Sequence, residues 1–282
     1  MNVWQTKRFR IDLRRPQVMG IVNVTPDSFS DGGHFADAKA AMAHCEALLR
    51  QRADILDIGG ESTRPGAAAP GTDEELARIV PVLRHAVTLG VPVSVDTSEP
   101  RVMAAALDLG VDIINDVRAL QRPGAMEVVA ADRSAGICLV HMQGEPGSMQ
   151  SAPDYRDAVA DVIAFLGARR DVALASGIAS DRIVLDPGIG FGKTVEHNLA
   201  LLARQRELMV LGSSVLVGWS RKSTLGVVTG RPIGERQAAS VAAAVLAVER
   251  GARIVRVHDV AATVDALKLW RAATQEQGET SA

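Results

Sequence analysis

Cysteine is scarce in this sequence, with two in 282 residues. Cys45 falls in a helical pattern and Cys138 in an apolar strand pattern. Both read as buried, reduced thiols of a cytoplasmic protein, not as a disulfide framework. An excess of one charge is missing too. A net charge of −2 and a pI near 6.3 exert no general pull toward nucleic acid or a membrane surface. No run approaches the roughly 20 apolar residues of a membrane span. The opening MNVWQTKRFRIDLRR has no apolar core of a secretory signal. The six histidines show no metal-ligand spacing, and HExxH does not occur. Gly192-Lys193-Thr194 ends like a phosphate-cradling P-loop, but the glycine required five residues earlier is Pro187. That excludes a P-loop nucleoside triphosphatase.

What is present is ample apolar material, 47% of the chain, in a length that suits two domains or one α/β barrel. Residues 3–13 alternate weakly and read as a short hairpin or cap. Then a unit repeats. Eight short runs rich in Val and Ile follow: Val18–Asn23, Ala53–Gly60, Val91–Asp96, Asp112–Asp116, Gly136–His141, Arg182–Asp186, Ser214–Gly218 and Arg253–His258. Each precedes a helical pattern. Thr72-Asp-Glu-Glu75 has the spacing of a capping box, and Ser98-Glu99-Pro100 is a second start signal. Gly90, Gly110, Gly136 and Gly251 are placed to end helices in a left-handed conformation. Ala238, Val241, Val245 and Val248 make an apolar face at helical spacing. Strict strand–helix alternation predicts a closed parallel (β/α)₈ barrel over residues 17–274, with 1–16 as a cap and 275–282 as a frayed polar tail. An open doubly wound sheet would bring a glycine fingerprint after its first strand, and Val18–Asn23 has none.

In such a barrel the chemistry lies at the C-terminal strand ends. Asn23, Asp57, Asp96, Asn115, His141, Asp186, Lys222, Arg256 and His258 fall there. The stretch from Ile183 to Lys193 is the clearest: an apolar strand closing on Asp186, then Pro187 and glycines at 188, 190 and 192. A buried carboxylate needs a partner, either an internal arginine or a ligand with N–H donors. Any one of Asp96, Asn115 and Asp186 alone suits a structural network. Three together, with few candidate cations below them, suit a flat heterocycle whose adjacent N–H groups pair with a carboxylate. Arg256 and His258, with Asn23, form a second cluster suited to phosphate or diphosphate; the alternative for Arg256 is a salt bridge to Asp57 or Asp259. Lys222 is placed to polarise a ring carbonyl, or else is a solvated loop lysine. Met142 is either a flat wall for a ring or core packing. Two long loops, 25–33 and 61–71, read as a lid over the mouth. A metal here would be a hard cation such as Mg²⁺ arriving with a diphosphate.

Several of these stretches resemble the signatures of the dihydropteroate synthase family. They are Met19–Gly33, Asp57–Gly66, Ser94–Thr97, Ile114–Asp116, Leu185–Lys193, Gly218–Ser223 and Arg256–Asp259. The resemblance implies a (β/α)₈ barrel that joins a dihydropterin-methyl diphosphate to p-aminobenzoate, releasing pyrophosphate. It implies that Asp96, Asn115, Asp186 and Lys222 hold the pterin, and that Thr63, Arg256 and His258 hold the diphosphate, with Asn23 on Mg²⁺. It further implies a p-aminobenzoate pocket made by Thr63, Arg64, Pro65, Phe191 and Ser223 under a lid carrying Phe29. Sulfonamides would enter that pocket, and the enzyme would be a homodimer. Two rivals differ in what they require. A methyltetrahydrofolate–corrinoid methyltransferase has no use for the Arg256–His258 clamp, and a silent pterin-binding paralogue would have lost lid or clamp residues.

Overall fold

The structure, a computed structural model, describes residues 2–24, 33–61, 70–145, 149–150 and 153–279. β1 (Val3–Gln5) and β2 (Arg10–Asp12) form an antiparallel hairpin. The barrel follows as β3 (Gln17–Asn23), α1 (Gly33–Arg50), β4 (Ile55–Gly59), α2 (Thr72–Ala86), β5 (Val93–Asp96) and α3 (Pro100–Asp108). It continues with β6 (Ile113–Asp116), α4 (Ala125–Ala131), β7 (Gly136–Val140), α5 (Ala158–Ala175), β8 (Ile183–Asp186) and α6 (Val195–Ala203). β9 (Ser214–Val217), α7 (Ser223–Thr229), α8 (Gln237–Glu249), β10 (Ala252–Val257) and α9 (Val260–Glu279) complete it. Each expected apolar run is a strand. All eight pair in parallel, and β10 closes on β3 with Ile254 opposite Gln17. Among the described residues no helix is long and apolar enough to cross a membrane.

Two apolar layers follow from strand alternation. Met19, Ile55, Ile113, Cys138, Val184, Leu216 and Ile254 point into the barrel. Their neighbours, such as Val18, Leu56, Val95, Ile137 and Val255, point outward onto the helices. Cys45 and Cys138 are buried free thiols. The hairpin closes the N-terminal end. Trp4 is fully buried, and its indole N–H donates to the Arg182 carbonyl at 2.9 Å.

The local signals that misled are informative. Gly90, Gly110 and Gly251 have positive φ, as a left-handed helix end requires. Gly136 does not; it opens β7, and a Cβ there would meet Trp4 Nε1 at 2.9 Å. Its glycine admits the hairpin plug. Thr72 is the first residue of α2, not its cap, which is Gly71 in extended conformation. Glu75 turns inward and is buried. The capping box stands instead at Thr194–His197 before α6. On α8 the buried face is Ser240, Ala243, Ala244, Ala247 and Val248, while Ala238 is exposed. Mostly small residues face the barrel there, and Val241 and Val245 sit at the margin.

Candidate active site

The same alternation that points Met19 and Ile254 inward carries Asn23, Asp57, Asp96, Asn115, Asp186, Arg256 and His258 to the inside at the C-terminal end. Register puts several at one level: Asn23 opposite Gly59, Gly59 opposite Asp96, and Asp96 opposite Asn115. Gly59 leaves room at this level, since a Cβ there would approach Asp96 Cβ to 3.3 Å.

An ion cluster occupies the centre. Arg256 Nε donates to Asp57 Oδ2 at 2.5 Å, and Nη2 to Asp96 Oδ2 at 2.8 Å. Asn115 Nδ2 donates to the same Asp57 oxygen at 3.3 Å. The alternative of a salt bridge from Arg256 to Asp57 is therefore realised, and Arg256 pairs with Asp96 as well. Asp259 instead pairs with Arg221 at 2.7 Å. The cluster is nevertheless incomplete. Among the described residues, Asp57 Oδ1, Asn115 Oδ1 and Ser94 Oγ are buried without a hydrogen-bond partner. Orphaned polar atoms at the end of a strand are costly unless a ligand's donors meet them.

Asp186 closes β8. Its Oδ1 accepts the Gly188 N–H at 2.7 Å, while burial raises the carboxyl to about 6. The glycine turn that follows is needed sterically. A Cβ on Gly188 would overlap the His141 carbonyl, and Gly190 lies where a Cβ would meet Lys222 Cδ at 3.1 Å. Lys222 Nζ stands 4.1 Å from the centre of the Phe191 ring. Burial, then the Arg256 charge, lowers its ammonium to about 8. Lys222 is thus half-buried over an aromatic ring and is not a solvated loop lysine. Phe191 and Met142 are half-buried and packed against the inner apolar layer. Ser223 is exposed and begins α7.

His258 sits above Arg256. Its Nδ1 lies 3.0 Å from Ser220 Oγ, which also accepts the His258 backbone N–H at 3.1 Å. Burial, then the Arg256 and Arg221 charges, push the imidazole down to about 3, so it is neutral at pH 7. Arg256 therefore carries the charge of this pair and His258 its hydrogen bonding.

Some functional contacts were not foreseen. Lys193 is buried and donates from Nζ to the carbonyls of Gly188 and Phe191, each at 3.0 Å, with His141 Nδ1 at 2.8 Å. It staples the β8 turn, and its own burial lowers it to about 7. Arg118 joins Glu61 at 3.4 Å to Glu145 at 2.9 Å. A lysine directly after alternating glycines was the available signal for the first, because that turn folds back on itself; the second has no local signal. Phe29, Thr63, Arg64 and Pro65 lie outside the described residues.

Residues 19–258 match the family described as pterin binding enzyme. The dihydropteroate synthase of Neisseria meningitidis serogroup B is 54% identical over 277 residues, spanning 96% of this chain and 97% of that protein. The chain belongs to the dihydropteroate synthases. Among solved members of the family, the Xanthomonas albilineans dihydropteroate synthase with 4-aminobenzoic acid is 50% identical, with a TM-score of 0.89, over 94% of this chain and 95% of that one. The Burkholderia cenocepacia dihydropteroate synthase complexed with 7,8-dihydropteroate is 47% identical, with a TM-score of 0.89, over 98% of both chains. Among the described residues no group of three or more His, Cys, Asp or Glu could hold an ion. Besides the Asn115 amide in β6, what this mouth offers toward a metal is the amide side chain of Asn23 at the end of β3. That donor fits a hard cation whose other ligands are phosphate oxygens and water, and does not fit a metal centre built by the protein.

Proposed function

We propose that the mouth of this barrel condenses 6-hydroxymethyl-7,8-dihydropterin diphosphate with p-aminobenzoate, giving 7,8-dihydropteroate and pyrophosphate. The observation that carries the reading is the inward layer of Asp57, Asp96, Asn115 and Asp186, with orphaned acceptors at its centre and Lys222 over Phe191 beside it. Acceptors in that number suit the ring N–H and amino groups of a dihydropterin. Asp96, Asn115 and Asp186 receive the ring, Lys222 meets its carbonyl, and Met142 walls it. Arg256, His258 and Thr63 hold the diphosphate.

The chemistry follows from those positions. Diphosphate leaves with its electron pair once Arg256 and His258 stabilise the departing charge. Asn23 would help hold a Mg²⁺ arriving with the diphosphate, which would supply further neutralising charge. The cation left on the methylene is delocalised into the electron-rich ring. The p-aminobenzoate amine then attacks and loses a proton. Phe191, Ser223, Arg64, Pro65 and Phe29 shape the pocket for this second substrate, which a sulfonamide would also occupy. No protein nucleophile is required. Residues 17–274 form the catalytic unit and residues 1–16 its floor. A cytoplasmic homodimer is part of the reading; exposed Val227, Val228, Ile233 and Leu246 on and near α7 and α8 support the dimer. The test is direct: incubate the chain with both substrates and Mg²⁺ and follow dihydropteroate and pyrophosphate. Absence of both products overturns the proposal.

A further inference from the structure

The turn that delivers Lys222 has a strained backbone. Arg221 sits at φ +60°, a conformation uncommon for a long side chain. Such a residue persists only where its surroundings hold it. Here the holding groups lie on α8 and just before it, behind the turn. The Arg221 N–H donates to Ser240 Oγ at 2.9 Å. The same hydroxyl donates to the Arg236 carbonyl at 2.7 Å. Arg236 Nη1 returns to the Arg221 carbonyl at 3.1 Å. The Arg236 guanidinium passes over Gly226, where any Cβ would overlap it. Both peptide groups of the left-handed residue are therefore clamped from one side. Asp259 fixes its side chain at 2.7 Å, and Ser220, one residue earlier, is fixed by His258 at 3.1 Å. Ser240 is 3% exposed, the single hydroxyl on an otherwise aliphatic buried face of α8.

We propose that Ser240 is a positioning residue for Lys222: its hydroxyl holds Arg221 left-handed, and that turn aims the lysine across Phe191 into the barrel mouth. The inference rests on Lys222 contacting the pterin. Without the hydroxyl, the Arg221 N–H loses its acceptor and the turn relaxes toward negative φ. Lys222 is the next residue and moves with it. Ser240→Ala suits the test, since its neighbours on that face are Ala243 and Ala244 and a helix accepts alanine readily.

The experiment is a double-mutant cycle on pterin affinity, measured by calorimetry with Ser240→Ala, Lys222→Met and the pair. Ser240→Ala alone is expected to weaken pterin binding about tenfold. In the Lys222→Met background it should cost less than about twofold, because the group it positions is gone. Equal losses in both backgrounds, or no loss in the first, overturn the proposal. Amide hydrogen exchange provides a readout independent of ligand. Protection at Arg221 and Lys222 should fall in Ser240→Ala while barrel strands stay protected; unchanged protection also overturns it. Absence of pterin binding by the unmodified chain would instead sink the proposed function, leaving the exchange result to decide the turn.

Discussion

Arg256 Nε and Asp57 Oδ2 meet at 2.5 Å, with the Asp57 side chain fully buried and Arg256 one-fifth exposed. The arginine proposed to hold the diphosphate is thus built on a buried carboxylate. Removing one partner of such a pair leaves a buried charge without compensation. Asp57→Asn is expected to destabilise the fold by about 3 kcal/mol. It should also weaken pyrophosphate binding, because the guanidinium is then held by Asp96 alone. Denaturant midpoints at unchanged slope check the first outcome. A loss under about 1 kcal/mol would show that Asp96 suffices to hold Arg256.

Asp186 gives a pH dependence. Its carboxyl is raised by burial to about 6. A ring presenting two N–H groups needs the carboxylate form. Pterin affinity should be level above pH 7 and fall below about 6, by up to tenfold per unit. Asp186→Asn should lose on the order of 2–3 kcal/mol of pterin affinity at pH 8 and show no such fall on acidification. Calorimetry across pH reads both. Pterin affinity within a factor of two of the parent would remove Asp186 from the site.

Arg256→Lys keeps the charge and loses the fork that reaches Asp57 and Asp96 together. Pyrophosphate affinity should drop much more than affinity for a pterin without diphosphate. Equal losses for both ligands would assign Arg256 to scaffolding only.

Glu75 carries a stability prediction of the opposite sign to most carboxylates. Burial raises it to about 7, against an ordinary value of 4.5. A carboxyl raised on folding costs nothing below its unfolded value. The cost grows between pH 4.5 and 7 and is complete above that. Thr97 hydrogen-bonds the Glu75 side chain, and Glu75→Gln removes the charge but keeps an amide for that contact. It should stabilise the protein by roughly 1–3 kcal/mol at pH 8 and by little at pH 4. Melting temperatures at the two pH values decide it.

Glu75 also shows what local pattern could and could not convey. A glutamate three residues after a threonine is a capping signal until tertiary burial overrides it. Periodicity located every barrel strand, because strands buried on both faces are short unbroken runs of Val and Ile. From those runs the strand ends, and with them Asp96, Asn115, Asp186 and Arg256, could be assigned to one mouth. Pairing could not be read this way. The sequence could name Asp57 and Asp259 as alternative partners of Arg256 but not choose between them, and that Gly136 is small for the sake of Trp4 depends on contacts between distant segments. The Ser240 hydroxyl was hidden for the same reason: its partner, Arg221, is a backbone group in an unusual conformation.

The hairpin plug bears on how the chain is made. Trp4 is synthesised well before its hydrogen-bond acceptor, Arg182, which lies 178 residues later. At roughly 5–20 residues per second, the indole waits about 10–35 s for the strand that receives it. β3 waits longer still, since the partner on its other side is β10. Through that interval the nascent chain exposes a bare strand edge and an unseated tryptophan, both of which invite pairing with neighbouring chains. Crowded overexpression should therefore be least forgiving for variants that delay β10, and a chaperone that shields the hairpin and β3 should help them most.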